Sequence, residues 1–205
     1  MTHRLRRLIL VRHGETVGQS SIRYFGSTDI PLNEVGLQQM ERVRTALEDE
    51  VLDAVYTSGL QRTIAAARII APTLPPQALA GFNEVNFGNW EGLTREEIAA
   101  RDPALFRQWR ESLSEFAYPG GDAVPAFRAR VLAAWRTVLP AAPERVLVVA
   151  HKGVIASIVA DLMRLSPSDR ATWPIDLASI HVLVACNGAW QAERVNANQH
   201  LCGLP

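Results

Sequence analysis

At 205 residues the chain is long enough for one packed core and short for two, so residues 1–205 are expected to form a single domain. Apolar residues make up 48% and charged residues 20%, a balance that excludes a disordered chain. Lys and Arg total 21, as do Asp and Glu, so no basic excess points to a nucleic-acid partner and any electrostatic specialisation is local.

The start, Met1-Thr-His-Arg-Leu-Arg-Arg7, carries the charge of a secretory leader, but the apolar run at 8–11 meets Arg12 too soon for an h-region. No stretch reaches the ~18 apolar residues of a membrane span. Cys186 and Cys202 are too few for a disulfide framework or a metal cluster. A cytoplasmic protein with no membrane partner and no metal is expected.

In chain order, residues 8–11 form a short β-favouring run, expected to be a buried strand. Residues 12–31 hold Gly14, Gly18 and Gly26 without periodicity, which predicts a loop long enough to be functional. A helix is expected over 34–47, with Leu37, Met40, Val43, Arg44 and Leu47 at helical spacing. A strand at 53–58 and an Ala-rich helix at 60–70, stopped by Pro72, come next. Thr94-Arg-Glu-Glu97 is a capping box opening a helical stretch that Pro103 restarts and that runs to about 113. The region 84–109 reads as an excursion from the core. After Gly120-Gly121-Asp122 another helix is expected to about 139. The run Val-Leu-Val-Val within 145–150 fits a central parallel strand, and 153–165 a helix with Val154, Ile155, Ile158, Val159 and Leu162 on its apolar face. Strands at 178–185 and 189–195 flank Asn187-Gly188, a favoured hairpin turn. This alternation predicts an α/β fold: a three-layer α/β/α sandwich around a mostly parallel sheet.

Ligands of open α/β sheets sit beyond the carboxyl ends of the strands. Arg12-His13 and His151 each directly follow a predicted strand, and Arg62 lies in the first turn of a helix that follows another. Two arginines offer forked, permanently charged donors that match phosphate oxygens, and a helix N-terminus favours the same charge. Each piece alone has an ordinary structural explanation; their conjunction and order predict an anion pocket.

The same segments resemble the histidine phosphatase superfamily, which is phosphoglycerate-mutase-like in fold. Leu8-Ile-Leu-Val-Arg-His-Gly-Glu-Thr16 is similar to its first strand and motif, and Gly26-Ser-Thr-Asp-Ile-Pro-Leu-Asn-Glu-Val-Gly36 to the next loop and helix start. Tyr56-Thr-Ser-Gly-Leu-Gln-Arg-Thr63 resembles the segment bearing the second arginine, and Asn83-Glu-Val-Asn-Phe-Gly-Asn-Trp-Glu-Gly92 the one bearing the acid. Pro119-Gly-Gly-Asp122 resembles a further marker, and Val148-Val-Ala-His-Lys-Gly-Val-Ile155 the second-histidine motif. The resemblance implies that His13 becomes a phosphohistidine, that Arg12, Arg62 and His151 hold the phosphoryl oxygens, and that Glu84 donates and then takes a proton. It implies a phosphomonoester hydrolase acting on a small organic phosphate with no cofactor. Glu91 is expected to be structural and Glu15 to orient the motif.

Gln19, Gly26 and Lys152 are added as substrate contacts. Gln19 stands where many members carry Asn, and Lys152 where the family usually has Gly. A left-handed backbone at 152 would strain a lysine; its ammonium is expected either to meet an acidic part of the substrate or to face solvent. Arg23, Tyr24, Phe25, Asn86, Trp90 and Trp109 are candidates for the far wall. Two alternatives stay open: a phosphoglycerate mutase, and a catalytically weak phospho-ligand binding module. Against the mutase, residues 87–92 stand where mutase-like sequences carry an insertion, and Gly153 stands where they carry Asn. Neither physiological substrate nor oligomeric state follows from the sequence.

Overall fold

The computed structural model describes residues 5–140 and 142–204, so most of the basic start discussed above, at 1–4, lies outside it. Its strands are β1 Arg7–Arg12, β2 Ala54–Ser58, β3 Gln77–Leu79, β4 Arg145–Ala150, β5 Ile180–Cys186 and β6 Ala189–Ala197. Its helices are α1 Glu34–Ala46, α2 Gln61–Ile70, α3 Arg95–Arg101, α4 Pro103–Glu111, α5 Val124–Val138, α6 Lys152–Met163 and α7 Pro167–Thr172. The strands form one six-stranded sheet in the order β3-β2-β4-β1-β5-β6. The first four in that order run parallel, and β5 and β6 complete the sheet as an antiparallel hairpin beside β1. The three-layer, mostly parallel architecture expected from the sequence is the one observed.

Side chains on a strand alternate between faces, and the two central strands use both faces for core. Leu8 and Leu10 of β1, with Val146, Val148 and Ala150 of β4, enter one cluster; Ile9 and Val11, with Leu147 and Val149, enter the other. Helices α5 and α6 cover the first face through Phe127, Val131, Trp135, Val154 and Ile158. Helices α1 and α2 cover the second through Met40, Val43, Ala66, Ala67 and Ile70. Continuous apolar runs in β1 and β4 are the consequence of this double cover.

Three details depart from the sequence expectation. Leu37 is 43% exposed, and the inward stripe of α1 is instead Gly36, Met40, Val43 and Leu47. Asn33 fixes that phase by accepting the Gly36 N–H at the helix start. Strand β3 has three partly exposed residues, too few to show alternation. Helix α7 is too short for periodicity, although Ser166 caps it through the Asp169 N–H and Pro167 opens it. The hairpin turn is as expected, with Asn187 and Gly188 at φ 50° and 79°. Among the described residues no helix is long and apolar enough to cross a membrane.

Helix α1 approaches the loop after β1 so closely that a Cβ on Gly36 would stand 2.0 Å from the Glu15 carbonyl oxygen. Helix propensity alone would make Gly36→Ala stabilising by up to about 1 kcal/mol. The collision reverses the sign, and we expect a loss of about 1–3 kcal/mol, read as a lower urea midpoint at unchanged slope. A raised midpoint would show that the loop is free to yield.

Candidate active site

Parallel pairing places Arg12 of β1 opposite Ala150 of β4. The residues that follow, His13 and His151, therefore leave adjacent strands side by side at the carboxyl edge. The His13 N–H donates to the Ala150 carbonyl at 3.1 Å, and the two rings meet edge-on with centroids 5.1 Å apart. On the far side of β4, β2 ends at Ser58, and the Ser58 hydroxyl lies 2.8 Å from His151 Nε2. Three strand ends thus deliver His13, His151 and Ser58 in a row.

Both histidines are buried, at 3% and 1% exposure. His13 Nδ1 lies 2.7 Å from the Gly14 carbonyl. A carbonyl only accepts, so Nδ1 carries the proton and Nε2 keeps its lone pair. Burial, then the charges of Arg62 and Arg12, hold the His13 pKa well below the usual imidazole value, so the ring stays neutral. For His151 burial, followed by Arg62, acts in the same direction. Its Nδ1 is buried without a partner, which leaves that nitrogen for a ligand. In a neutral ring that donates from Nδ1, Nε2 accepts the Ser58 hydroxyl proton.

Arg62 is completely buried and has no carboxylate partner among the described residues. Its Nη1 donates to the Thr28 carbonyl at 2.8 Å and its Nη2 to the Gly26 carbonyl at 2.6 Å, while Nε has no partner. Arg12 Nη1 donates to the Ile175 carbonyl at 3.0 Å, and its Nε is likewise buried and unpartnered. Burial lowers the pKa of both guanidinium groups. The loop that receives Arg62 is itself fixed by Glu91, whose carboxylate accepts from the amides of Gly26, Ser27 and Phe87 and from the Thr28 hydroxyl. The structural role expected for Glu91 has this geometry behind it. Glu15 accepts from the Thr16 and Ser21 amides and so braces its own loop.

Glu84 is 7% exposed. Its carboxylate accepts the Val85 N–H at 3.0 Å and the Gly153 N–H at 2.9 Å. Burial raises its pKa against these two hydrogen bonds and the nearby arginines, as a proton donor requires. Gly153 fits because it lacks a Cβ, which would stand 2.5 Å from Glu84 Oε1. Arg130 staples the segment below by donating to the carbonyls of Gly81 and Asn83.

These groups face a cavity of about 420 Å³ lined by Arg12, His13, Glu84 and Lys152, by Ser20 to Phe25, and by Phe87, Arg95 and Glu96. Arg62 and His151 lie buried next to it. Of the expected far-wall residues, Arg23, Tyr24 and Phe25 line it, whereas Asn86, Trp90 and Trp109 do not. Trp90 is a core residue at 1% exposure, held through Nε1 by Asp102. Asn86 accepts the Gly88 N–H, and Trp109 donates to the Tyr118 hydroxyl.

Two expected substrate contacts lie outside this lining. Gln19 is exposed, has a left-handed backbone (φ 62°) and does not line the cavity. Gly26 is also outside the lining, and its amide and carbonyl are already taken by Glu91 and Arg62. Lys152 does line the cavity. As the first residue of α6 it has no positive φ, so the strain considered for this position is absent.

Sequence reasoning did not single out Ser58, Gly153 and Arg130 as supports, or Arg95 and Glu96 as lining. Arg95 lay in view inside the capping box, which the structure forms in full. Among the described residues no group of three or more His, Cys, Asp or Glu is arranged to hold a metal ion.

The chain is similar to known proteins over most of its length. The sequence model described as the histidine phosphatase superfamily (branch 1) matches residues 8–198. A 2-carboxy-D-arabinitol-1-phosphatase of Triticum aestivum is 31% identical over 163 residues, 78% of this chain and 33% of the wheat protein, so the chain spans about a third of that relative. A 2,3-bisphosphoglycerate-dependent phosphoglycerate mutase of Gloeobacter violaceus is 33% identical over 172 residues, 78% of this chain and 77% of the mutase. The crystal structure of the alpha-ribazole phosphatase from Shigella flexneri superposes with a TM-score of 0.80 at 25% identity, covering 93% of this chain and 96% of that one.

Removing the Ser58 hydroxyl leaves His151 Nε2 buried without a partner, a cost of about 1–3 kcal/mol. Ser58→Ala is therefore expected to lower kcat/KM for a phosphate ester about tenfold or more, with Ser58→Thr recovering part of the loss. Gly153→Ala is expected to displace Glu84 and shift the alkaline limb of the pH–rate profile. An unmoved limb would mean that Glu84 does not depend on residue 153.

Proposed function

The chain belongs to the histidine phosphatase superfamily, branch 1, and on that premise we propose that it hydrolyses a small organic phosphate monoester through a phosphohistidine on His13. The observation that carries this reading is a neutral His13 with Nδ1 pinned to Gly14, beside three buried nitrogens without partners, Arg12 Nε, Arg62 Nε and His151 Nδ1. Buried polar groups are nearly always satisfied. Here a phosphoryl group supplies the missing acceptors.

In the first step the Nε2 lone pair of His13 attacks phosphorus in line with the ester oxygen. Arg12, Arg62 and His151 hold the three equatorial oxygens as charge moves through them, which is where most of the catalysis lies in phosphoryl transfer. The phosphorus–oxygen ester bond breaks, and Glu84, kept protonated by burial, gives its proton to the departing oxygen. In the second step water attacks the phosphohistidine, and the Glu84 carboxylate takes the water's proton. The phosphorus–nitrogen bond breaks, inorganic phosphate leaves, and both groups return to their starting states. Two guanidinium groups balance a phosphate dianion, so this scheme assigns no step to a metal or cofactor.

A cavity of about 420 Å³ suits a small-molecule phosphate ester. We take Lys152 as a substrate contact, because it lines the cavity. The Gloeobacter relative favours the mutase as a second reading; Gly153 beside Glu84, in place of Asn, favours the hydrolase. We also read residues 1–205 as one domain, because every site residue hangs on the same sheet. A cytoplasmic setting accords with Cys186 and Cys202, which are exposed and free.

With p-nitrophenyl phosphate the parent is expected to turn over and to form an acid-labile phosphoenzyme; His13→Ala is expected to lose both, by at least about a thousandfold in rate. Undiminished turnover by His13→Ala would overturn the proposal. Poor hydrolysis combined with phosphorylation by bisphosphoglycerate would identify a mutase, and neither activity a binding module.

The pH dependence follows from the two shifts. The depressed His13 pKa keeps the nucleophile neutral well below the usual imidazole range, so activity persists into mild acid. The raised Glu84 pKa means the acid is protonated below it, so activity falls as pH rises through it. Glu84→Gln is expected to remove that alkaline limb and to slow alkyl phosphates about 10²–10⁴-fold. The loss in kcat/KM on p-nitrophenyl phosphate, which reports the first step alone, should be much smaller, since its leaving group departs without a proton. Equal losses in kcat/KM on both ester types would argue against Glu84 as the donor.

A further inference from the structure

Residues 173–179, between α7 and β5, hold Arg12 and His13 from outside the cavity, which none of them lines. The Ile175 carbonyl accepts from Arg12 Nη1 at 3.0 Å. The Ser179 carbonyl accepts the Arg12 N–H at 3.3 Å, and the Ala178 N–H donates to the His13 carbonyl at 3.2 Å. Arg12 and His13 are therefore only as fixed as this segment. The segment is also strained, since Ala178 has a left-handed φ of 57°. Such a conformation persists only where the surroundings over-determine it.

Those surroundings come from β6 and the turn after it. Asn196 Oδ1 accepts the Asp176 N–H at 2.8 Å, and Asn196 Nδ2 donates to the Asp176 carboxylate at 2.7 Å. His200 Nε2 donates to the Ala178 carbonyl at 3.0 Å. The bond to the Asp176 N–H reaches furthest. A peptide unit is planar, so the Ile175 carbonyl and the Asp176 N–H point opposite ways from one rigid plate. Asn196 holds one edge of that plate, and the other edge holds Arg12 Nη1.

A β-bulge aims the Asn196 side chain. Between the pairs Ile180–Ala197 and Val182–Arg194, two residues, Val195 and Asn196, oppose His181 alone. Asn196 takes a φ of 50°, which asparagine tolerates better than most residues. Buried His181 pins the bulge: its Nδ1 accepts the Asn196 N–H at 3.2 Å and the Trp173 Nε1–H at 3.3 Å. Its proton is then on Nε2, 3.3 Å from the Ser179 hydroxyl, which itself donates to the Asp176 carbonyl at 2.8 Å. Burial holds the His181 pKa down at about 4, so the ring stays neutral and keeps both acceptor contacts.

We propose that Asn196 is a positioning residue for phosphate binding, fixing the Arg12 guanidinium through the peptide that joins Ile175 to Asp176. This rests on the hydrolase reading, in which Arg12 holds a phosphoryl oxygen, and adds a residue that acts through Arg12 without lining the cavity. With the plate loosened, the unpartnered Arg12 Nε is no longer presented in one place. Binding of inorganic phosphate and passage through the transition state both weaken.

The variant Asn196→Gly keeps the left-handed backbone and the N–H to His181 while removing both side-chain bonds. It is expected to keep the parent's Tm, to lower kcat/KM for p-nitrophenyl phosphate about tenfold, and to raise the inhibition constant of inorganic phosphate by a similar factor. Added to Arg12→Gln, assayed at high enzyme concentration, it should cost almost nothing more, whereas a structural role elsewhere would multiply the two losses. Asn196→Asp sets a second carboxylate against Asp176 and should be impaired as well. Adding Asp176→Asn should restore most of the activity, because the exchanged pair can rebuild both bonds; this rescue carries the test if Asn196→Gly loses Tm. Parental phosphate affinity in Asn196→Gly, multiplied losses with Arg12→Gln, or no rescue by the exchange overturns the positioning role. Turnover of p-nitrophenyl phosphate with an acid-labile phosphoenzyme in the parent reports on the hydrolase reading separately. Its presence beside any of those results sinks the role of Asn196 alone, and its absence sinks the reading beneath it.

Discussion

The pairing of β1 with β4 decides where everything else goes. Two parallel strands in register put their next residues side by side, and here those residues are both imidazoles. Neither ring chooses its neighbour. Each is held by backbone geometry that the doubly covered apolar strands enforce, with Leu8, Leu10, Val146 and Val148 packed on one side and Ile9, Val11, Leu147 and Val149 on the other. A slip of one residue would exchange the two faces of β1 and carry His13 away from His151.

Around that pair the protein leaves a deliberate imbalance. Burying a guanidinium costs several kcal/mol unless partners replace its water. Arg62 recovers part of that cost from two carbonyls of the loop at 26–28, which Glu91 holds in place. It does not recover all of it, since its Nε stays without a partner, as does that of Arg12. Burial, aided by the same charges, keeps His13 neutral, so one arrangement both attracts the dianion and preserves the nucleophile. Burial moves Glu84 in the opposite direction, against the arginines, because its neutral form is the acid. Burial therefore sets a base and an acid at once.

How much of this was legible in the sequence depended on whether a signal was local. β1 and β4 are continuous apolar runs and α6 carries a helical apolar face, so each states its burial, and the turn at Asn187-Gly188 follows from backbone conformation at two residues. Arg12, His13 and His151 were visible as residues that directly follow strands. Ser58, Gly153 and Arg130 were not, because each acts through a partner distant in sequence: Ser58 lies 93 positions from His151 and Gly153 lies 69 from Glu84. Gln19 and Gly26 lie outside the cavity lining for the converse reason. A motif assigns a residue to a loop without saying which groups the loop has already spent on itself, and Glu91 with Arg62 had claimed Gly26. Trp90 misled as a large aromatic in a loop that turned out to belong to the core.

The cavity has two halves of different origin. The inner half is made by strand ends and by the first turn of α6, with Arg62 of α2 buried in the packing behind them. The outer half is made by residues 20–25 and by α3, joined by the Arg23–Thr94 bridge and the Arg23–Glu97 ion pair. That outer wall rests on the surface of the fold, and its side chains can be exchanged with little strain on the sheet below. A catalyst built this way can be retargeted by grafting one short loop and one helical turn. The same scaffold can therefore diverge in diet while its bond-breaking machinery stays fixed.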